Sequence, residues 1–183
     1  IRDHCVTGVQ TCALPIYRFE GYAEGTYGNY NWIRGAAGVS GPIGDGVGMR
    51  LEAILQKRDG LLDEVNSGQD INKMNRAFLR AKVRVDATEN LRFNFIADFT
   101  RRKEDCCAAV LSRRGAVFPR VEALAAAKGY KNSGAVDPYE REAAITPGRV
   151  NQEDVTDFGF SGQMDWDLGF GQLVTISAYR KWK

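Results

Sequence analysis

Histidine is the scarcest chemistry in this chain of 183 residues: there is one, His4. A single imidazole so near the start excludes a multi-histidine metal site, and it excludes a histidine-based triad in the main body. Long apolar runs are missing too. Nothing approaches the ~18 consecutive apolar residues of a membrane-crossing helix, although 44% of the residues are hydrophobic. A membrane role would therefore fall to strands. Net charge is small: 25 basic against 23 acidic residues leave +2. That balance excludes neither nucleic acid nor membrane and gives no strong electrostatic footprint for either; no nucleic-acid partner is expected. Proline is sparse at 5 residues and glycine abundant at 20.

What the chain does have is alternation. Leu79, Ala81, Val83 and Val85 are apolar; Arg80, Lys82, Arg84 and Asp86 between them are charged. After the link Ala87–Asn90, the residues Leu91, Phe93, Phe95, Ala97 and Phe99 resume the apolar face. Arg92, Asn94 and Asp98 resume the other, with Ile96 an exception. Period two means a strand with one greasy and one charged face. Such alternation in segments of ~10 residues is the pattern of a transmembrane β-barrel.

The same rhythm predicts further strands over Tyr17–Gly28, Trp32–Ser40, Val47–Lys57, the stretch from Val155 to Trp166, and Gly171–Trp182. Gly41–Gly46 is glycine-rich, but Gly44, Gly46 and Gly48 do not make G-x-G-x-x-G and no lysine makes a P-loop, so it reads as a hairpin turn. Arg58–Met74 is a polar loop. Arg101–Asp154 is a long interruption, with a short helix predicted over Pro119–Tyr130 from its alanines, Pro119 near the start and Gly129 at the end. Connections alternate short and long, as in barrels with short periplasmic turns and longer extracellular loops. The fold class is thus all-β: an antiparallel up-and-down meander of about seven strands, part of a transmembrane β-barrel. One long extracellular loop carries the helix. An open, curved sheet is expected rather than closure around an apolar interior.

Ile1–Ile16 has no strand or helix rhythm, and Val6–Ile16 (VTGVQTCALPI) resembles the conceptual translation of a sequencing-library adapter. These sixteen residues are set aside as an artefact, together with His4, Cys5 and Cys12. Residues 17–183 are taken as the genuine sequence. Its stop at Lys183 reads as truncation.

Several pieces resemble TonB-dependent outer-membrane receptors. Phe19-Glu20-Gly21-Tyr22-Ala23-Glu24 and Tyr27-Gly28-Asn29-Tyr30 are similar to the first barrel strands of that family. Gly38–Ile43 resembles its first periplasmic turn, and Arg50-Leu51 with Arg58-Asp59-Gly60 the end of the next strand. Asp165–Leu168 and Ser177–Arg180 are similar to a later hairpin. The resemblance spans residues 17–183 and implies the early portion of a ~22-stranded barrel, with the plug missing and the barrel incomplete. It further implies uptake of a scarce nutrient, a ferric siderophore or similar chelate, energised through a TonB complex contacted by the missing plug. Outer-membrane lipid would be the other partner, and the outer membrane of a Gram-negative bacterium the location. A passive porin-like channel and a small soluble ligand-binding β-barrel are the alternatives.

Among candidate chemistries, Arg101, Arg102, Lys103, Arg113 and Arg114 make the long loop basic. They are candidates for an anionic substrate or for surface phosphates, against a plain solvated loop with carboxylate partners. Cys106 and Cys107 could form a vicinal disulfide in an oxidising compartment. Arg80, Lys82, Arg84, Arg92, Asp98 and Asp165 are expected to face the barrel lumen. No metal site, cofactor or catalytic set is expected, and the chain is not read as an enzyme.

Overall fold

The computed structural model describes residues 18–105, 107–149 and 151–183; the adapter-like segment lies outside them. In chain order the elements are β1 (Glu20–Gly28), β2 (Trp32–Gly44), β3 (Val47–Arg58), β4 (Leu62–Glu64), β5 (Asp70–Ile71), β6 (Met74–Thr88) and β7 (Leu91–Asp105). Helix α1 (Phe118–Ala126), β8 (Glu142–Ala143), β9 (Gln152–Asp167) and β10 (Gln172–Trp182) follow. Seven of the strands form one sheet in the order β1-β2-β3-β6-β7-β9-β10, every neighbouring pair antiparallel. This is the meander that the alternation predicts. No ladder joins β1 to β10, so the sheet is open at both edges.

The strands outrun the sequence pattern at their loop ends. β7 continues through Arg101–Asp105, and β9 starts at Gln152. There both faces are polar, so alternation vanishes while the ladder persists: Arg102 pairs with Val155 and Asp105 with Gln152. At the other end β2 runs on through Pro42 and Ile43, with a register shift between Pro42 and Gly44. The β6–β7 turn tightens to Glu89-Asn90, with an irregularity between Asp86 and Thr88. Helix α1 ends at Ala126, before the predicted limit; the Tyr130 N–H reaches back to the Ala125 carbonyl at 3.2 Å, and Gly129 adopts φ +80°.

Cross-strand partners share a face, so the register sorts the side chains. One face carries Leu55, Leu51, Leu79, Val83, Phe95, Phe99, Phe158 and Phe160; the other carries Arg50, Glu52, Arg80, Lys82, Arg84, Asn94 and Asp98. The apolar face is the open one: Leu55 is 63% and Leu79 50% exposed, whereas Glu52 on the charged face is 2% exposed. Among the described residues the buried hydrophobics are only Ala36, Ile71, Ala125, Ala143 and Val155, and no large side chain is fully buried. A water-soluble sandwich would invert this arrangement.

Strand β10 departs from the rest. Its pairing sets Val174 opposite Asp165, Ile176 opposite Gln163 and Ala178 opposite Ser161, which places these apolar residues on the charged face. Thr175, Ser177 and Tyr179 fall on the apolar face, beside Met164, Gly162 and Phe160. Alternation shows that a strand has two faces; only the register says which face joins which.

Candidate functional site

The charged face is a web of pairs within and between strands. Arg50 donates to Glu52 at 2.6 Å. Asp86 accepts from Arg84 at 3.1 Å and from Arg92 at 2.8 Å. Arg180 bridges Asp98 at 2.9 Å and Asp157 at 2.5 Å, tying β10 to β7 and β9. Asp165 accepts from Gln163 at 2.8 Å and from Asn94 at 3.3 Å. The six residues expected to line a lumen (Arg80, Lys82, Arg84, Arg92, Asp98 and Asp165) therefore share this face. Their partners differ from the simplest expectation, which matched Arg80 with Glu52 or Asp98. Arg80 instead lies over the Phe78 ring at 5.0 Å, and its Nε and the Oε2 of Glu52 are buried without partners.

The short β1–β2 link and the two long connections, β3–β6 and β7–β9, lie at one end of the sheet. There the two longer loops fold into one cap. β4 pairs antiparallel with β5 and parallel with β8, so residues from both loops form a small second sheet. Its anchor is Glu64, 4% exposed. The carboxylate accepts N–H bonds from Ser67 (2.6 Å), Asn66 (3.1 Å) and, from the other loop, Ile145 (3.0 Å). Burial by itself would raise the Glu64 pKa; the donors of Ile145, Ser67 and Asn66 outweigh it and hold the carboxyl at about 2. Asn66 adds bonds to the Lys131 and Ile145 carbonyls at 3.0 and 3.2 Å. A second clasp joins Asn72 to Ala108, amide to carbonyl at 2.9 Å and N–H to carbonyl oxygen at 3.2 Å.

Two clefts flank the segment around Ile145 in this cap. The larger, about 500 Å³, is walled by Cys107, Ala108, Thr146, Arg149, Asn151 and Glu153. The smaller, about 320 Å³, has Glu64, Asn66, Gln69 and Ile71 on one side and again Thr146, Arg149 and Asn151 on the other. The charge and polar donors of Arg149, Thr146 and Asn151 suit an anionic or multidentate oxygen ligand. Among the described residues no cluster of three metal-ligating side chains occurs.

The predicted basic residues do not converge on these clefts. Arg101 pairs with Asp154 at 3.4 Å and Arg102 with Glu153 at 2.8 Å at the tops of the strands, with Lys103 exposed beside them. Arg113 and Arg114 precede α1, and Arg114 stacks over Phe118 at 4.9 Å. Cys107 is disulfide-bonded, with φ +76°; Cys106 lies outside the described residues. Sequence reasoning missed Glu64, Asn66, Asn72 and Arg149. Each is an isolated polar residue in a polar loop, and no spacing marks it.

No family profile and no curated protein sequence matches the chain. The crystal structure of the ferric yersiniabactin uptake receptor FyuA from Yersinia pestis superposes with a TM-score of 0.68 at 17% identity, covering 93% of this chain and 24% of the receptor. At that identity the likeness is one of fold. The chain thus has the fold of a stretch of β-barrel wall and spans about a quarter of that receptor's length. Among the described residues no helix is long and apolar enough to cross a membrane, which says nothing of strands.

Proposed function

We propose that this chain is barrel wall and outer loops of a TonB-dependent uptake receptor in the outer membrane of a Gram-negative bacterium. It would serve the import of a small molecule or metal chelate, a ferric siderophore before others, and perform no catalysis. One observation carries the membrane reading. The sheet exposes its leucines and phenylalanines, while on its other face Glu52, Arg50 and Arg84 are largely enclosed. Strands that meet lipid outside and water inside need that polarity. An apolar groove of about 510 Å³ on the outer face, lined by Phe93, Phe95, Phe160 and Tyr179 where Gly162 leaves room, suits an acyl chain. The uptake role draws on the sequence motifs and on a fold shared with a ferric-chelate receptor. TonB coupling draws on the motifs alone.

The test is carbene footprinting of the full chain in lipid nanodiscs with a probe confined to the acyl phase. Leu55, Leu79, Phe95, Phe99 and Phe160 should be labelled, and Glu52, Arg80 and Asp98 spared. Labelling of neither face, or of both equally, would dispose of the lipid-facing assignment.

A further inference from the structure

Helix α1 presents an apolar ridge that nothing among the described residues covers. Val117, Val121 and Leu124 follow at spacings of four and three, so they share one side of the helix. They are 72%, 41% and 62% exposed. Lys128 extends the ridge past the last turn. The adjoining flank, one step round from Val121, holds the buried Ala125 and the half-buried Phe118, and the helix is seated by that flank. The same segment is rich in cations: Arg113, Arg114, Arg120 and Lys128, with Glu122 the one carboxylate between residues 113 and 128. Their pairing differs from that in the sheet. Arg34, Arg50, Arg76, Arg84, Arg92, Arg102 and Arg180 each hold a carboxylate. Arg113, Arg120 and Lys128 have none within ion-pair distance among the described residues, and Arg114 meets only the Phe118 ring.

We propose that α1 docks on an anionic lipid surface. Val117, Val121 and Leu124 enter the boundary between headgroups and acyl chains, and the four cations meet lipid phosphates. An exposed apolar ridge flanked by unpaired cations is the combination that holds a helix in a membrane interface. Neither half suffices: a solvated basic loop would not expose two valines and a leucine in register, and a protein-docking ridge would not need four cations that hold no carboxylate. A membrane-embedded sheet would hold the helix near such a surface, but the inference stands on the helix's own charge and shape.

The experiment measures amide hydrogen exchange across residues 113–128 of the full chain. The chain is mixed with vesicles of phosphatidylcholine, or of phosphatidylcholine with phosphatidylglycerol. Anionic vesicles should slow exchange in Val117–Lys128 by about tenfold relative to neutral ones. High salt should reverse this, since exposed charges are screened within a few ångströms at about 1 M. The variant Arg113→Glu/Arg114→Glu/Arg120→Glu should show no difference between the two lipids. Equal exchange with both vesicles in the unmodified chain overturns the proposal, as does protection that survives charge reversal. Equal protection by inorganic phosphate without lipid also overturns it, in favour of a small-anion site. Exchange in β6 and β7 is read in the same spectra and reports on sheet insertion, so failure of the membrane reading and failure of the helix docking are told apart.

Discussion

Asn66 and Lys131 hold each other across 65 positions of sequence. The Asn66 amide donates to the Lys131 carbonyl at 3.0 Å, and the Lys131 N–H donates to the Asn66 carbonyl oxygen at 2.7 Å. One side chain thus mimics a strand partner for a backbone in another loop. Asn66 also reaches Glu64 and the Ile145 carbonyl, and so ties the two long loops together. Asn66→Ala should uncouple them. Leaving several partly buried groups without partners costs about 1–3 kcal/mol, so exchange at Lys131 and Ile145 should quicken by about tenfold or more while β6–β7 stays unchanged. Unaltered exchange at both amides would show that the small sheet β4-β5-β8 holds the cap unaided.

Acid should loosen the same cap. The Glu64 carboxyl is held at about 2, below its ordinary 4.5. A depressed value means that the ionised form favours the folded cap. Its contribution is complete above about pH 4.5 and falls away as pH drops toward 2. The Ser67 and Ile145 amide proton shifts, followed by NMR, should titrate with a midpoint near 2 and lose that titration in Glu64→Gln. A midpoint at 4.5 would mean that the three donors do not stabilise the charge.

Two glycines permit the cap's close approaches. A Cβ at Gly60 would sit 2.6 Å from the backbone N and O of Ile71, and one at Gly134 would sit 2.6 Å from the carbonyl carbon of Glu142. Backbone atoms in a paired sheet cannot yield as a flexible side chain does. Gly60→Ala and Gly134→Ala should each destabilise the cap by about 1–3 kcal/mol, read as faster proteolytic cutting in residues 59–73 and 131–146. Gly68→Ala is not sterically blocked, although its φ of +68° strains it. It should have the smaller effect. Equal cutting in all three variants would contradict the steric argument.

On the charged face, Glu52 stands two positions from Arg50 on its own strand and opposite Arg80 in the register. Its side chain is almost wholly enclosed, and it holds Arg50 at 2.6 Å. Glu52→Gln takes the carboxylate from the largely enclosed Arg50 and should lower stability by about 1–3 kcal/mol, seen as an earlier guanidinium midpoint in micelles. Arg50→Gln/Glu52→Gln should recover part of the loss, because it removes a repelling charge with the attracting one. A double variant no better than the single would point to Arg80 or Lys82 as the true partner.

Period-two alternation in the sequence determined that this chain makes long two-faced strands. Gly28-Asn29 and Gly44-Asp45-Gly46 marked two of the turns between them. Alternation is a local property, written wherever one side of a strand meets apolar surroundings, so Leu79 through Phe99 could be read directly. Where both sides meet water the signal ends, and for that reason Arg101–Asp105 looked like loop although it is strand. Only the tertiary structure decided the rest. Register placed Val174 and Ile176 on the charged face and gave Arg180, rather than Arg80, to Asp98. Chain reversal brought Glu64 to Ile145 and Asn66 to Lys131. Those contacts join residues far apart through single hydrogen bonds, and a hydrogen bond between distant loops leaves no periodicity in the chain that makes it.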